Sequence, residues 1–270
     1  MVAIVYMLAG MSSRFGGSPK ALTKVGPNNE TLLEISLLQA LKQPFSKIIF
    51  ITNPLTNQLF VNEMQYCFKT IPIEYVEQVY DKTKRSRPWG TTDAVCSLMG
   101  KIDEPFILLN GDDLYGEKAF DNGYKLLVKS KENIMGTVPI HKTIHDDSKV
   151  NRGVVFVNHE NKRVIHLKEC LDISRLTHPE LMSELGSVNF IGLQPNMITH
   201  LNDILVEFKE KNEGDLKIEA LLPNDLNTLI EKGIAIFQYF TIEDTIKSLT
   251  YQNDIETMKE FLIKHRNCIL

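Results

Sequence analysis

The stretch Leu8-Ala9-Gly10-Met11-Ser12-Ser13-Arg14-Phe15-Gly16-Gly17-Ser18-Pro19-Lys20 decides how the chain is read. Residues 2–8 are an apolar, β-prone run, so the chain leaves a buried strand and enters a glycine-rich loop at once. Glycines let main-chain N–H groups turn inward around an anion. Arg14 can fork onto phosphate oxygens, and Lys20 adds a point charge. Two cations and several amides so close to a strand end suit a triphosphate. A surface loop with incidental charges is the plain alternative, and the combination of glycines, Arg14 and Lys20 speaks against it. The stretch is not a Walker A loop, since no Gly-Lys-Ser/Thr follows at the required spacing. It is not the dinucleotide G-x-G-x-x-G fingerprint either.

Downstream, residues 31–42 place Leu32, Ile35, Leu38 and Leu41 on one helical face. Residues 47–52 and 73–76 read as strands, and 91–99 as a helix capped by Thr91 or Thr92. Residues 106–109 form a short apolar strand ending at Asn110-Gly111-Asp112-Asp113. This alternation predicts an α/β fold, a three-layer Rossmann-like arrangement with a mixed, mainly parallel sheet. In such sheets ligands sit at the carboxyl ends of strands, where both the Gly10 and Asp112 loops fall.

After Ile140 the texture changes. Residues 141–152 are polar and read as a loop; 153–157, 163–167 and 188–193 read as strands without long helices between them. An inserted antiparallel lobe on the substrate side is expected. Residues 197–211 and 217–232 look helical, the second broken or kinked at Pro223; 234–240 reads as a strand and 254–265 as a closing helix. The expected organisation is a single domain over 1–270, with a nucleotide-binding half at 1–140 and a substrate lobe with C-terminal helices at 141–270.

With 270 residues, 43% hydrophobic, and a net charge of -4, the composition is that of a globular protein without a global basic field. Nucleic acid and membrane are therefore not expected partners. Cys67, Cys96, Cys170 and Cys268 form no C-x-x-C pair, so reduced thiols in a cytoplasmic protein are expected. The apolar run at the start is far too short to span a bilayer. His141 and His145 are four apart but have no third ligand nearby, so zinc is not expected there. The sequence leaves the oligomeric state open, with a homo-oligomer allowed.

Taken with its preceding strand, G-x-S-x-R-F-G-G-x-x-K resembles the signature of the nucleotidyltransferase superfamily that includes the sugar-1-phosphate nucleotidylyltransferases. The resemblance continues in order along the chain. Val25-Gly26-Pro27-Asn28-Asn29-Glu30-Thr31 looks like the family's V-G-P-N-G-E turn. Arg87-Pro88-Trp89-Gly90-Thr91 and Asn110-Gly111-Asp112-Asp113-Leu114-Tyr115-Gly116 look like its next two blocks. Asn151-Arg152-Gly153-Val154 and Val188-Asn189-Phe190-Ile191-Gly192 resemble strands of its substrate lobe. Leu249-Thr250-Tyr251-Gln252-Asn253-Asp254 resembles a C-terminal G-V-T-Y-x-x-D block.

The resemblance implies an enzyme that joins a nucleoside triphosphate to a sugar 1-phosphate or similar phosphorylated small molecule, with Mg²⁺ as cofactor and pyrophosphate as product. It implies Arg14 and Lys20 as catalytic cations. It implies a nucleotide site at Leu8, Ala9, Gly10, Met11, Ser12, Gln78, Gly90, Thr91 and Asp112. Gly153, Glu169 and Asn189 fall to the acceptor substrate, Asp113 either to the substrate side or to a supporting place behind the metal aspartate, and Asp112 with Asp254 to the metal. Read by their chemistry alone, these residues keep alternatives. Asp112 and Asp113 are also turn formers, Glu169 can be an ordinary strand-end charge, and Asp254 can cap the closing helix. Arg85 and Arg87 either screen the triphosphate or sit in a solvated loop. Rival functions are a nucleotide-sugar-dependent glycosyltransferase, a molybdopterin guanylyltransferase, and a non-catalytic nucleotide-sugar-binding protein. The Gly-Asp-Asp block, the blocks after Gly153, and the trio Arg14, Lys20 and Asp112 count against them in turn.

Overall fold

The computed structural model describes residues 1–10, 15, 18–65, 67–144 and 149–265. In chain order the elements are β1 (Ala3–Met7), α1 (Leu32–Ala40), β2 (Ile48–Thr52), α2 (Asn57–Met64), β3 (Ile73–Glu77) and α3 (Thr91–Cys96). Then come β4 (Phe106–Asn110), β5 (Asp113–Leu114), α4 (Glu117–Ser130), β6 (Asn133–Pro139), β7 (Val150–Asn158) and β8 (Arg163–Ile173). The chain ends with β9 (Leu185–Leu193), α5 (Met197–Lys211), α6 (Leu222–Glu231), β10 (Phe237–Thr241), β11 (Lys247–Ser248) and α7 (Asp254–Lys264). They divide into two compact units, one of residues 1–79, 106–125 and 243–270, the other of 80–105 and 126–242.

The first unit is built on parallel strands in the order β3-β2-β1-β4. Every residue of β2 is buried, as are the first four of β1 and of β4. Such continuous apolar runs are the mark of parallel strands covered on both faces. Thr31 caps α1 through a reciprocal capping box with Glu34, a device that contributes about 1 kcal/mol. A second layer of packing joins Val25, Leu32 and Ile35 to Leu114, Leu249, Met258 and Leu262, so α7 closes over the same core.

The second unit has strands in the order β9-β6-β10-β8-β7, with β7 also pairing β9. All its pairings are antiparallel except β10 with β6. The expected mixed α/β fold, with an antiparallel lobe between segments of a parallel one, is the fold observed. The details differ from expectation in instructive places. Part of the expected 141–152 loop is strand, because β7 starts at Val150, and β8 runs on to Ile173. Pro223 does not break a helix; it sits in the first turn of α6, where its missing N–H is harmless. The cap of α3 is Gly90, not a threonine. Helices α2 and α4 and strand β6 had no counterpart in the sequence reading. No helix among the described residues is long and apolar enough to cross a membrane.

Candidate functional site

In the first unit, β1 and β4 are neighbours and both end at loops that carry charge. Leu8 and Ala9 are buried at the exit of β1. The Leu8 N–H donates to the Ile51 carbonyl at 2.7 Å, and Asn53 Nδ2 donates to the Ala9 carbonyl at 3.0 Å. Asn53 thus fixes where the loop begins, a role that nothing in its sequence context signals. Gly10 faces open space: a β-carbon there would meet nothing within 4 Å. Met11, Ser12 and Arg14 lie outside the described residues.

Lys20 opens a short 3-10 helix. Its Nζ lies 3.1 Å from Asp112 Oδ2, with side-chain exposures of 17% and 34%. The cation and the carboxylate therefore meet in a shielded but accessible place. A cleft of about 150 Å³ opens there, lined by Leu8, Gly10, Pro19, Lys20, Gly111 and Asp112 among others. Gly111 has no room for a side chain, since a β-carbon would lie 2.0 Å from Leu8 Cδ2. That contact draws the β4 exit against the β1 exit.

Asp113 points elsewhere. It is 8% exposed, and its carboxylate accepts from Asn110 Nδ2 at 2.9 Å, from the Tyr115 hydroxyl at 3.3 Å, and from the Ser248 hydroxyl. Asp254 is the first residue of α7, and its Oδ2 accepts the N–H groups of Thr250 and Tyr251, both at 2.7 Å. Asp244 accepts the Ala119 N–H at 2.9 Å in the first turn of α4. Burial pushes the Asp244 carboxyl upward against that hydrogen bond. Gln78 is buried just past β3, its N–H donating to the Thr52 carbonyl at 2.8 Å. Among the described residues no group of three His, Cys, Asp or Glu could cage a metal ion. Asp112 pairs with a cation beside the cleft.

The second unit holds the other expected residues. Gly90 adopts φ 105°, and a β-carbon there would lie 2.4 Å from the Ala220 carbonyl oxygen. Two causes therefore demand glycine at this position, and both lie in the packing of the unit itself. Thr91 uses its hydroxyl to accept the Leu222 N–H at 2.9 Å, at the start of α6. Arg85 is neither solvated nor open to a phosphate. It is 4% exposed. Its guanidinium donates to the carbonyls of Arg87, Asp215 and Ile218 and lies 3.4 Å from the centre of the Trp89 ring. It clamps residues 215–218 to the segment before Gly90. Arg87 pairs with Glu219 at 3.1 Å.

On the antiparallel strands, Gly153 and Glu169 are direct partners of β7 and β8. The space above Gly153 is bounded by Glu169 Oε2 and Ser187 Cβ, each 3.6 Å from where a β-carbon would stand. Ser187 Oγ in turn accepts the Asn189 N–H at 3.3 Å. The ladder between β6 and β9 slips between Gly136 and Thr137, and Asn189 in this bulge takes φ 58°. Asparagine tolerates that left-handed backbone better than most residues, and bulges re-aim side chains beside functional sites. Gly153 thus faces Glu169 and Ser187, and Ser187 holds the main chain of Asn189; nothing in the sequence around Ser187 signals this place. Burial raises the Glu169 carboxyl above its ordinary 4.5, opposed by the charge of Arg152.

No curated protein matches the sequence. Solved structures do match in fold. The inositol-1-phosphate CTP transferase from T. maritima aligns with TM-score 0.66 at 13% identity, over 96% of each chain. A putative glucose-1-phosphate thymidylyltransferase from Bacillus anthracis, in complex with a sucrose, aligns with TM-score 0.69 at 11% identity, over 97% of this chain and 95% of that one. A UDP-glucose pyrophosphorylase complexed with UDP-glucose aligns with TM-score 0.68 at 15% identity, over 98% and 99%. At such identities these likenesses speak for the fold. The sequence itself matches the family model described as Nucleotidyl transferase over residues 15–170, more than half the chain, and the chain belongs to that family of enzymes.

Proposed function

We propose that this nucleotidyltransferase joins a nucleoside triphosphate to a sugar 1-phosphate, or a similar phosphorylated small molecule, and releases pyrophosphate in a Mg²⁺-dependent reaction. The observation that carries the reading is the Lys20–Asp112 pair at the joined exits of β1 and β4. It sets a cation for phosphate beside a carboxylate for metal.

A phosphate oxygen of the acceptor attacks the α-phosphorus, forming a new P–O–P link. The bond from the α-phosphorus to the β-phosphate oxygen breaks, and pyrophosphate leaves with that electron pair. The nucleophile is already ionised at neutral pH, so no general base is required. The work left to the protein is positioning and charge neutralisation. Lys20 holds the α-phosphate, and Arg14 takes the departing pyrophosphate. Residues 8–12 are the stretch assigned to the triphosphate. Gln78, Gly90 and Thr91 border the base, and Gly153, Glu169 and Asn189 bind the acceptor. Mg²⁺ prefers one or two carboxylates completed by substrate phosphates, which fits an accessible Asp112 that already attracts a cation. When bound there, the ion draws charge from the phosphates. Asp254 is the second candidate carboxylate.

The structural neighbours include an inositol-1-phosphate CTP transferase, a putative glucose-1-phosphate thymidylyltransferase and a UDP-glucose pyrophosphorylase, which supports a phosphorylated polyol or sugar as acceptor. The test is a grid of nucleoside triphosphates against sugar 1-phosphates and polyol phosphates, read by pyrophosphate release with and without Mg²⁺. One productive pair that dies with EDTA is expected. Glycosyl transfer from a nucleotide sugar, with no pyrophosphate formed from any pair, overturns the reading.

A further inference from the structure

Two adjacent aspartates leave β4, and only one of them faces the cleft. Asp112 lies in the turn after β4, and Asp113 opens β5. Asp112 turns toward Lys20, whereas Asp113 turns inward and is 8% exposed. Hydroxyl and amide donors hold the Asp113 carboxylate, among them Asn110 Nδ2 at 2.9 Å and the Tyr115 hydroxyl at 3.3 Å on Oδ2, and the Ser248 hydroxyl on Oδ1. The Tyr115 oxygen also accepts the Asn110 N–H at 3.2 Å, which closes a ring of contacts around the turn. Tyr115 is fully buried, which fixes its hydroxyl beside the turn.

The Ser248 donor comes from far along the chain. β11 pairs antiparallel with β5, setting Ser248 opposite Asp113 and Lys247 opposite Leu114. One residue on, the Leu249 N–H donates to the Asp112 carbonyl at 2.9 Å. Residues 247–249 therefore grip both aspartates, Asp112 by its main chain and Asp113 by its side chain. Leu249 is itself buried with Leu114, Met258 and Leu262. The grip is anchored in the core beneath α7.

From this geometry we infer that Ser248 and Asp113 are positioning residues, whose hydrogen bond, with those of Tyr115 and Asn110, fixes the direction in which Asp112 presents its carboxylate. The inference rests on the proposal that Asp112 carries the metal. Of the two tasks open to Asp113, it selects support of Asp112 over contact with substrate, and it names Ser248 as the partner. A carboxylate aimed by a fixed turn binds a cation without first having to order itself, and outer partners of this kind are worth about 10–100-fold in metal affinity.

The experiment uses the full chain as wild type, Ser248→Ala, Ser248→Thr and, as a core control in the same unit but outside the cluster around Leu249, Leu37→Ala. Mn²⁺ is titrated by electron paramagnetic resonance in the presence of inorganic triphosphate, a probe that needs neither the right base nor the right acceptor. Denaturant midpoints are followed in parallel, and the Mg²⁺ dependence of pyrophosphate release is measured where turnover is found. Ser248→Ala should weaken Mn²⁺ binding about tenfold or more and raise the half-saturating Mg²⁺ by a similar factor. Turnover at saturating metal should change less. Ser248→Thr, which keeps the hydroxyl, should restore most of the loss. Leu37→Ala should lower the midpoint while leaving Mn²⁺ binding near wild type. Wild-type affinity in Ser248→Ala, no rescue by threonine, or an equal loss in Leu37→Ala would each overturn the inference. A wild type that binds no Mn²⁺ with triphosphate would sink the proposed function, and the inference with it.

Discussion

The carboxylates of the first unit and the acid of the second are held in different ways. In the first, the turn after β4 is braced by side chains: Asp113 by hydroxyl and amide donors, Asp112 by Lys20. In the second, Glu169 sits on a long antiparallel strand, and its place is set by the register of β8 against β7. A loop has no ladder to define it, so a chemical group on a loop needs dedicated hydrogen bonds. A strand supplies the geometry, and the variable is which residue faces the open side. The first arrangement should be sensitive to single-atom changes at distant positions, the second to the bulk and charge of the residue itself.

The largest effect should come from breaking the brace at its cation. Lys20→Ala should lower turnover about 10²–10³-fold, the usual loss for a donor aimed at transition-state charge. Metal binding should move the other way. With Lys20 removed from Asp112, Mn²⁺ without nucleotide should bind more tightly, because the carboxylate loses a competing cation. Stability should fall by about 1 kcal/mol or less, as for a partly exposed ion pair. Steady-state kinetics, Mn²⁺ titration and a denaturant midpoint together check this. A variant with normal turnover would remove Lys20 from the chemistry.

Next in size is a packing effect in the second unit. Gly90→Ala forces a β-carbon to 2.4 Å from the Ala220 oxygen at φ 105°. The strain should cost about 1–3 kcal/mol, read as a lower unfolding midpoint. If stability is unchanged and only nucleotide affinity falls, the glycine serves the ligand and not the fold.

These two positions also show what the sequence could reveal. The β1 exit and the β4 exit were legible because continuous apolar runs end abruptly at glycine and charge. The antiparallel strands were only partly legible. β7 and β8 carry polar residues such as Asn151, Lys168 and Asp172 on exposed positions, so their ends looked like loop. Helix α6 was extended backward through residues 217–221, where Asp215 instead caps a turn by accepting the N–H groups of Lys217 and Ile218. Gly90 and Glu169 could be picked out from their blocks. Ser248 and Asn53 could not, because each acts through a partner remote in sequence and each is an ordinary polar residue in its own context. Arg85 was misjudged for the same reason. Its three carbonyl partners and Trp89 become neighbours only in the folded unit.

A smaller effect, with a definite sign, is expected at Glu169. Burial raises its carboxyl above 4.5, so the folded state holds the proton more tightly than the unfolded chain does. For a raised carboxyl the stabilising contribution is complete below the unfolded value and is lost as pH rises through the folded one. At neutral pH the ionised Glu169 therefore opposes folding. Glu169→Gln should match or exceed wild-type stability at pH 7, and the advantage should shrink toward pH 4.5. The same substitution should raise the KM for the acceptor, because a charged acceptor of hydroxyl hydrogen bonds is lost. Thermal melts at the two pH values and acceptor titrations read both. A variant less stable at pH 7 with an unchanged KM would make Glu169 a structural acid.

The smallest expected effect separates two tasks for Asp254. Its Oδ2 accepts the N–H groups of Thr250 and Tyr251 at 2.7 Å, which ties the chain entering α7 to the helix's first residue. That segment follows directly on residues 247–249, the part of the chain that grips Asp112 and Asp113. An asparagine keeps one oxygen and can still accept one or both hydrogen bonds, but without charge. As a cap, Asp254→Asn should therefore cost no more than about 1 kcal/mol and leave the Mg²⁺ requirement within about twofold, the scatter of a surface change. As the second metal carboxylate, it should raise the Mg²⁺ requirement about tenfold or more while the unfolding midpoint stays near wild type. Asp254→Ala widens the separation, since alanine can do neither job. A loss of stability that grows from asparagine to alanine, with Mg²⁺ dependence flat, assigns Asp254 to the turn and leaves Asp112 with the substrate phosphates as the metal's partners. A Mg²⁺ requirement that climbs in both variants at constant stability makes Asp254 a ligand and requires its Oδ2 to leave the two amides when metal and nucleotide bind.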